Sequence, residues 1–232
     1  MLRSKRPSFQ PDDPGELLQT IYRHLWEAYG PQNWWPASSR LEMMIGAILT
    51  QNTSWQGAAK AIARLHKEGL VSLDKLYHLP RAKLAEYICA AGYFNVKAHR
   101  LKNLITYLVE KYNGDLAAMS QVSTSELRRE LLSINGIGPE TADSILLYGF
   151  NRPVFVVDSY TRRILHRHGL CSAAAGYGEL QALFMDHLLP DAKLFNEYHA
   201  LLVRLGKHRC RPQPLCGNCP LEPLLPSQPT FE

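Results

Sequence analysis

At 232 residues with 46% apolar side chains, the chain is long enough to bury a core as one large domain or two small ones. A net charge of +5 and a pI near 8.9 suit a nucleic-acid partner without demanding one, because a solvated basic surface gives the same totals. No apolar run reaches the roughly 18 residues of a membrane span, and five cysteines, three crowded near the end, fit a reducing compartment and a metal-site tail better than a disulfide framework.

The opening MLRSKRPSFQPDDPG has no apolar signal core and reads as a short flexible arm. From Asp13-Pro14 a helix follows, with Leu17, Leu18, Ile21, Tyr22, Leu25, Trp26 and Tyr29 at helical spacing, and it stops at Gly30-Pro31. Pro31 and Pro36 keep the next segment irregular, yet it presents Trp34 and Trp35 side by side. Two readings stand for that pair: a hydrophobic staple on the core, or an aromatic wall for a flat ligand. Ser39 and Glu42 form a capping box for a helix that ends at LTQNTSW, where Gln51, Asn52 and Thr53 suit the tying together of backbone groups. Ser54 to Leu65 is again helical, and two short helices follow, at 73–78 and 80–90. Gly92 breaks the pattern and Asn95 is expected to cap the next helix, whose buried stripe is Ala98, Leu101, Leu104, Ile105 and Leu108. Lys97, His99, Arg100 and Lys102 fall largely on its other face, a solvated surface or a phosphate contact.

Residues 132–163, LSINGIGPETADSILLYGFNRPVFVVDSYTRR, organise the rest. The stretch reads as the end of a helix over 123–133, a tight turn over 134–138 and a second helix over 139–150. Gly136 and Gly138 are expected to take positive φ and leave backbone N–H groups uncovered, while Pro139 suits the first helical position. Exposed amides at a helix N-terminus suit an anion such as a phosphate. The apolar run Val154 to Val157 then delivers Asp158, followed by Tyr160, Arg162 and Arg163. Helices at 159–168, 177–189 and 193–206 complete an all-α chain with no strand pattern and no internal repeat.

Hairpin, helix, apolar run and aspartate resemble the helix-hairpin-helix DNA glycosylases of the endonuclease III superfamily in order, spacing and residue type, and the resemblance runs from about residue 15 to 209. It implies two helical domains with a groove between them for the target base. A six-helix barrel would occupy residues 38–148, and residues 1–37 plus 149–232 would form the second domain. It implies Asp158 as the catalytic carboxylate. Backbone contacts to DNA would come from Gly136, Ile137 and Gly138, with Gln51 filling the space left by an extruded base and Tyr93 or Phe94 as a second wedge. In bifunctional members a lysine follows two residues after the second hairpin glycine. Glu140 stands there, so no Schiff base forms at this position, and strand cleavage by β-elimination should be lost.

Trp34, Trp35, GYFNVKAHRL and LLVRLGKH resemble the 3-methyladenine glycosylases of that superfamily, in which a similar tryptophan pair lines the base pocket. Lys207 matches a pocket lysine there, or is a plain helix charge. The resemblance thus implies a monofunctional glycosylase of base-excision repair acting on alkylated purines in double-stranded DNA, as a cytoplasmic or nucleoid-associated monomer. A mismatch or oxidised-base glycosylase is the alternative within enzymes, and a non-catalytic DNA-binding module the alternative outside them. Cys210, Cys216 and Cys219 lie in a proline-rich tail that resembles the [4Fe-4S] loop of endonuclease III relatives. The fourth cysteine, expected near Leu225, is absent, so three readings stand: the thiolates recruit His208 or Glu222 to a degenerate cluster, they bind Zn²⁺, or they are the relic of a lost site. Catalysis requires no cofactor in any of these.

Overall fold

The computed structural model describes residues 13–226. Most of the opening arm, residues 1–12, lies outside that range. Among the described residues the chain is all helix and loop, with no β-strand, and no helix is long and apolar enough to cross a membrane. It divides into two compact units, one spanning Trp35–Arg152 and the other combining the chain up to Trp34 with Pro153 onward.

The Trp35–Arg152 unit holds α2 (Arg40–Leu49), α3 (Trp55–Lys67), α4 (Leu73–His78), α5 (Arg81–Tyr87), α6 (Phe94–Tyr112), α7 (Thr124–Ser133) and α8 (Pro139–Ser144), which runs on as a π-turn over Ile145–Gly149. Helix α2 is buried along its whole length after Arg40, which makes it the axis of the unit. Its cap departs from the expected box: Ser39 Oγ accepts from Glu42 N at 3.2 Å, but the Glu42 carboxylate turns back to Ser38 N (3.0 Å) and the Ser38 hydroxyl rather than to Ser39. His66 Nε2 adds a third contact at 3.1 Å. Those hydrogen bonds outweigh burial, and the Glu42 pKa falls below the ordinary carboxylate value.

Helix α6 corrects two expectations. It starts at Phe94, so Asn95 lies inside it, and the N-cap position belongs to Tyr93 in the left-handed region (φ 44°) with no side-chain cap. Its basic residues are not a solvated face either. Lys97 is 1% exposed and its ammonium donates to Leu49 O and Ala91 O, both at 2.7 Å. Lys102 donates to Leu76 O, Tyr77 O and Leu79 O at 2.5–3.1 Å, closing the end of α4. Orphan carbonyls at helix ends are good acceptors for an ammonium, and the two lysines satisfy them from inside the unit. Of the four basic residues expected on that face, His99 is exposed.

The second unit holds α1 (Pro14–Tyr29), α9 (Ser159–Arg167), α10 (Tyr177–His187) and α11 (Ala192–His208). Its core is aromatic: Phe155 stacks on Phe184 at 3.7 Å, Phe195 and Tyr198 meet Phe155 edge-on, and Tyr198 Oη donates to Leu18 O at 2.7 Å. Val154, Phe155, Val156 and Val157 are all buried, which fixes where the following residue emerges.

Candidate active site

That residue is Asp158, and the fold uses it twice. It is the N-cap of α9, with Oδ1 accepting from Thr161 N at 2.8 Å and Thr161 Oγ1 at 3.0 Å. Its second oxygen, Oδ2, lies 3.7 Å from His199 Nε2 on α11. Burial lowers the His199 pKa more than the Asp158 charge raises it, which favours the neutral ring. Lys207, about two turns further along α11, also feels Asp158: desolvation lowers its ammonium pKa and the carboxylate opposes that shift. Close approach of α9 and α11 makes this grouping possible. A Cβ on Gly206 would stand 2.5 Å from Tyr160 Cδ1, and Arg163 bridges to Gly206 O at 3.1 Å and Cys210 O at 2.7 Å. A carboxylate with one oxygen fixed by a helix cap retains acceptor capacity on the other, beside a neutral imidazole and an amine.

The hairpin lies in the other unit. Gly136 has φ +97°, as a left-handed turn needs, and a Cβ there would fall 2.3 Å from Arg100 Cγ. Gly138 departs from expectation. Its φ is −94°, it is the N-cap of α8, and no atom lies within 4 Å of where its Cβ would stand. Open space in front of Gly138 leaves its backbone approachable, so the absence of a side chain matters here and the backbone dihedral does not. Ile137 is also corrected in part: its side chain is buried and its N–H donates to Ile134 O at 3.0 Å, so that amide is spent within the turn. A bidentate pair, Arg128 Nε and Nη2 to the fully buried Asp143 at 2.7 and 3.0 Å, clamps α7 to α8 and holds the hairpin shut.

Around the hairpin, Gln51 is docked by three hydrogen bonds. Its Nε2 donates to Gly136 O (3.1 Å) and Thr141 Oγ1 (2.9 Å), while its Oε1 accepts from Arg100 Nη1 (2.6 Å). Tyr93 stands at a loop tip, 72% exposed, in a conformation uncommon for a residue with a Cβ, and Phe94 and Val96 beside it are also exposed. The ammonium of Lys97 sits beneath both loops, since Leu49 ends the helix before Gln51 and Ala91 precedes Gly92 and Tyr93.

Trp34 and Trp35 are each half-buried and fall on opposite sides of the unit boundary. Trp35 lies edge-on to Trp55 and tilted to Tyr148, both at 5.3 Å, over Gly46, where a Cβ would meet its ring at 3.0 Å. The structure therefore adds Trp55 and Tyr148 to the aromatic candidates. Neither stands out in sequence, because each sits in an ordinary helical pattern.

Cys210, Cys216 and Cys219 line one small cavity with Arg167, His168, Glu222 and Leu225. Among the described residues no group of three or more His, Cys, Asp or Glu side chains is arranged to hold a metal ion. The apolar Leu225 occupies the expected fourth position, and Arg167 is already bonded to Cys210 Sγ at 3.3 Å.

The sequence profile described as "HhH-GPD superfamily base excision DNA repair protein" matches residues 45–190, which takes in the hairpin, the apolar run and Asp158. The chain belongs to this superfamily. A provisionally named DNA repair glycosylase of Methanocaldococcus jannaschii is 47% identical over 208 residues, covering 89% of this chain and 94% of that one. Endonuclease III of Sulfolobus acidocaldarius is 29% identical over 178 residues, covering 76% of this chain and 77% of its own. Among solved structures, the 3-methyladenine DNA glycosylase MagIII of H. pylori, bound to 1,N6-ethenoadenine, superimposes with a TM-score of 0.71 at 28% identity, over 84% of this chain and 97% of that one. An HhH-GPD base-excision repair fold is thus shared along nearly the whole described chain.

Proposed function

We propose that this HhH-GPD chain is a monofunctional DNA glycosylase that hydrolyses the N-glycosidic bond of alkylated purines, such as 3-methyladenine, in double-stranded DNA. Two carboxylates, each described within its own unit, carry the reading. Asp158 is held with one oxygen available beside a neutral imidazole, and Glu140 occupies the first turn of α8 where bifunctional relatives place a nucleophilic amine. In such a reaction the C1′–N bond breaks with its electron pair leaving on the base. An N-alkylated purine is cationic and departs neutral, so it needs no acid. Asp158 stabilises the oxocarbenium-like sugar and takes the proton of the water that adds to C1′.

Support for the alkylpurine class comes from the aromatic group of Trp35, Trp55 and Tyr148, a surface suited to stacking on a cationic ring, and from the likeness to MagIII. Cation–π attraction of this kind contributes roughly 0.5–2 kcal/mol per contact. Tyr93 at its exposed tip and Gln51 on the hairpin are the proposed wedge residues, and the Gly138 backbone the proposed phosphate contact.

A panel of duplex oligonucleotides, each with one lesion, tests the reading. Base release should be fastest from 3-methyladenine, strands should break only after alkali or heat, and borohydride should trap no covalent complex. Release of a pyrimidine lesion or mismatched base in preference would replace the alkylpurine assignment with the mismatch or oxidised-base alternative. A trapped complex that disappears in Lys207→Gln would move the chemistry from hydrolysis to the amine next to Asp158.

A further inference from the structure

We infer that the three-cysteine loop near the C-terminal end folds without a metal ion or iron–sulfur cluster, and that Arg167, His168 and His24 hold its backbone instead. The donor set is the first reason. Three thiols line the cavity together with Glu222, but the residue at the expected position of the fourth cysteine is Leu225, whose side chain offers no lone pair. Geometry is the second reason: among the described residues no three His, Cys, Asp or Glu side chains are disposed around a point where a metal ion would sit.

The third reason is that the loop already has an organiser. An irregular stretch carries carbonyls that no helix satisfies, and burying them unpaired is costly. Arg167, at the end of α9 and only 2% exposed, answers three acceptors at once: Nη1 donates to Arg211 O at 2.6 Å and Cys210 Sγ at 3.3 Å, and Nη2 to Pro212 O at 2.9 Å. Next to it, His168 Nδ1 lies 3.2 Å from Leu224 O. From α1, His24 Nδ1 lies 3.2 Å from Pro220 O. Side chains of two helices thus grip the loop near its start, middle and end. Leu221 and Leu224 are buried beneath it, supplying the apolar anchor. The planar guanidinium suits this task, since its rigid fork of donors spans several acceptors.

Two measurements on the full chain test this. Protein purified without oxygen should contain less than about 0.1 iron or zinc per chain, show no visible charge-transfer band, and melt at the same temperature with or without a chelator. Stoichiometric zinc, or several irons with acid-labile sulfide, removed by chelation with a fall in melting temperature, would overturn the inference without recourse to any variant. Hydrogen exchange over residues 210–226 then locates the organiser. Arg167→Met should speed exchange there about tenfold or more, whereas Cys210→Ser, Cys216→Ser and Cys219→Ser combined should leave it unchanged. Faster exchange in the triple serine variant, with none in Arg167→Met, would return the loop to a metal.

Discussion

Arg100 Nη1 donates to Gln51 Oε1 at 2.6 Å, and its aliphatic stem lies so close to Gly136 that a Cβ on that glycine would collide with it. Gln51 is therefore part of the hairpin's packing as well as a proposed wedge. Replacing it with alanine leaves Gly136 O, Thr141 and Arg100 without these bonds, and the expected loss is about 1–2 kcal/mol of stability. Chemical denaturation of Gln51→Ala checks this. An unchanged midpoint would mean that the docking bonds carry no weight and that Gln51 acts only on DNA.

Trp35 is expected to matter for both stability and substrate. It packs on Gly46, Trp55 and Tyr148 but stays half-buried, so Trp35→Ala should cost about 2 kcal/mol, less than a fully buried tryptophan. Release of 3-methyladenine at a temperature where the variant is folded should still fall about tenfold or more if the ring stacks on the base. Full activity in the folded variant would assign Trp35 to the core alone.

Lys97 gives the fold a pH signature. Burial pushes its ammonium from 10.5 down to about 8. Between those values the unfolded chain holds a proton that the folded chain has released, so stability rises with pH across the window and the gain is lost as pH falls through 8. Against Lys97→Met, which does not titrate, the wild type should become relatively more stable from about pH 8 to 10.5. A pH-independent difference between the two would show that Lys97 keeps its ordinary pKa.

Gly138→Asp should weaken DNA binding for every sequence while hardly moving the melting temperature. The position has an ordinary negative φ and open space, so the fold tolerates a side chain, whereas a carboxylate in front of the α8 N-terminus repels phosphate. Duplex affinity and thermal melting of the same variant decide it. Unchanged affinity would remove the hairpin amide from the DNA contact.

Much of this was legible in the residues because the signals were local. Helical spacing gave each helix, GIG followed by proline gave the hairpin, and the run ending at Val157 gave the buried approach to Asp158. What escaped was nonlocal. Amphipathic spacing treats lysine as a surface residue, and nothing near Lys97 or Lys102 in sequence shows that the ends of α2 and α4 bring carbonyls to their ammonium groups. Asn95 looks like a cap only if the left-handed turn at Tyr93 is unknown. His199 sits in a helical apolar pattern 41 residues from Asp158, and only the crossing of α9 and α11 brings them to 3.7 Å. The cysteine spacing suggests ligands and already shows Leu225 where a fourth is missing, but it does not reveal that Arg167 donates to Cys210 Sγ.

Asp158 is the centre of the account, and Asp158→Asn tests it most directly. Asparagine is as good an N-cap as aspartate, so the Thr161 bonds and the start of α9 should survive and folding should be nearly unchanged. The charge that stabilises the sugar is lost. Single-turnover release of 3-methyladenine from duplex DNA by the folded variant should therefore fall by about 10² or more, with duplex affinity retained. Release within a few-fold of the wild type would remove Asp158 from the chemistry and contradict the proposed mechanism.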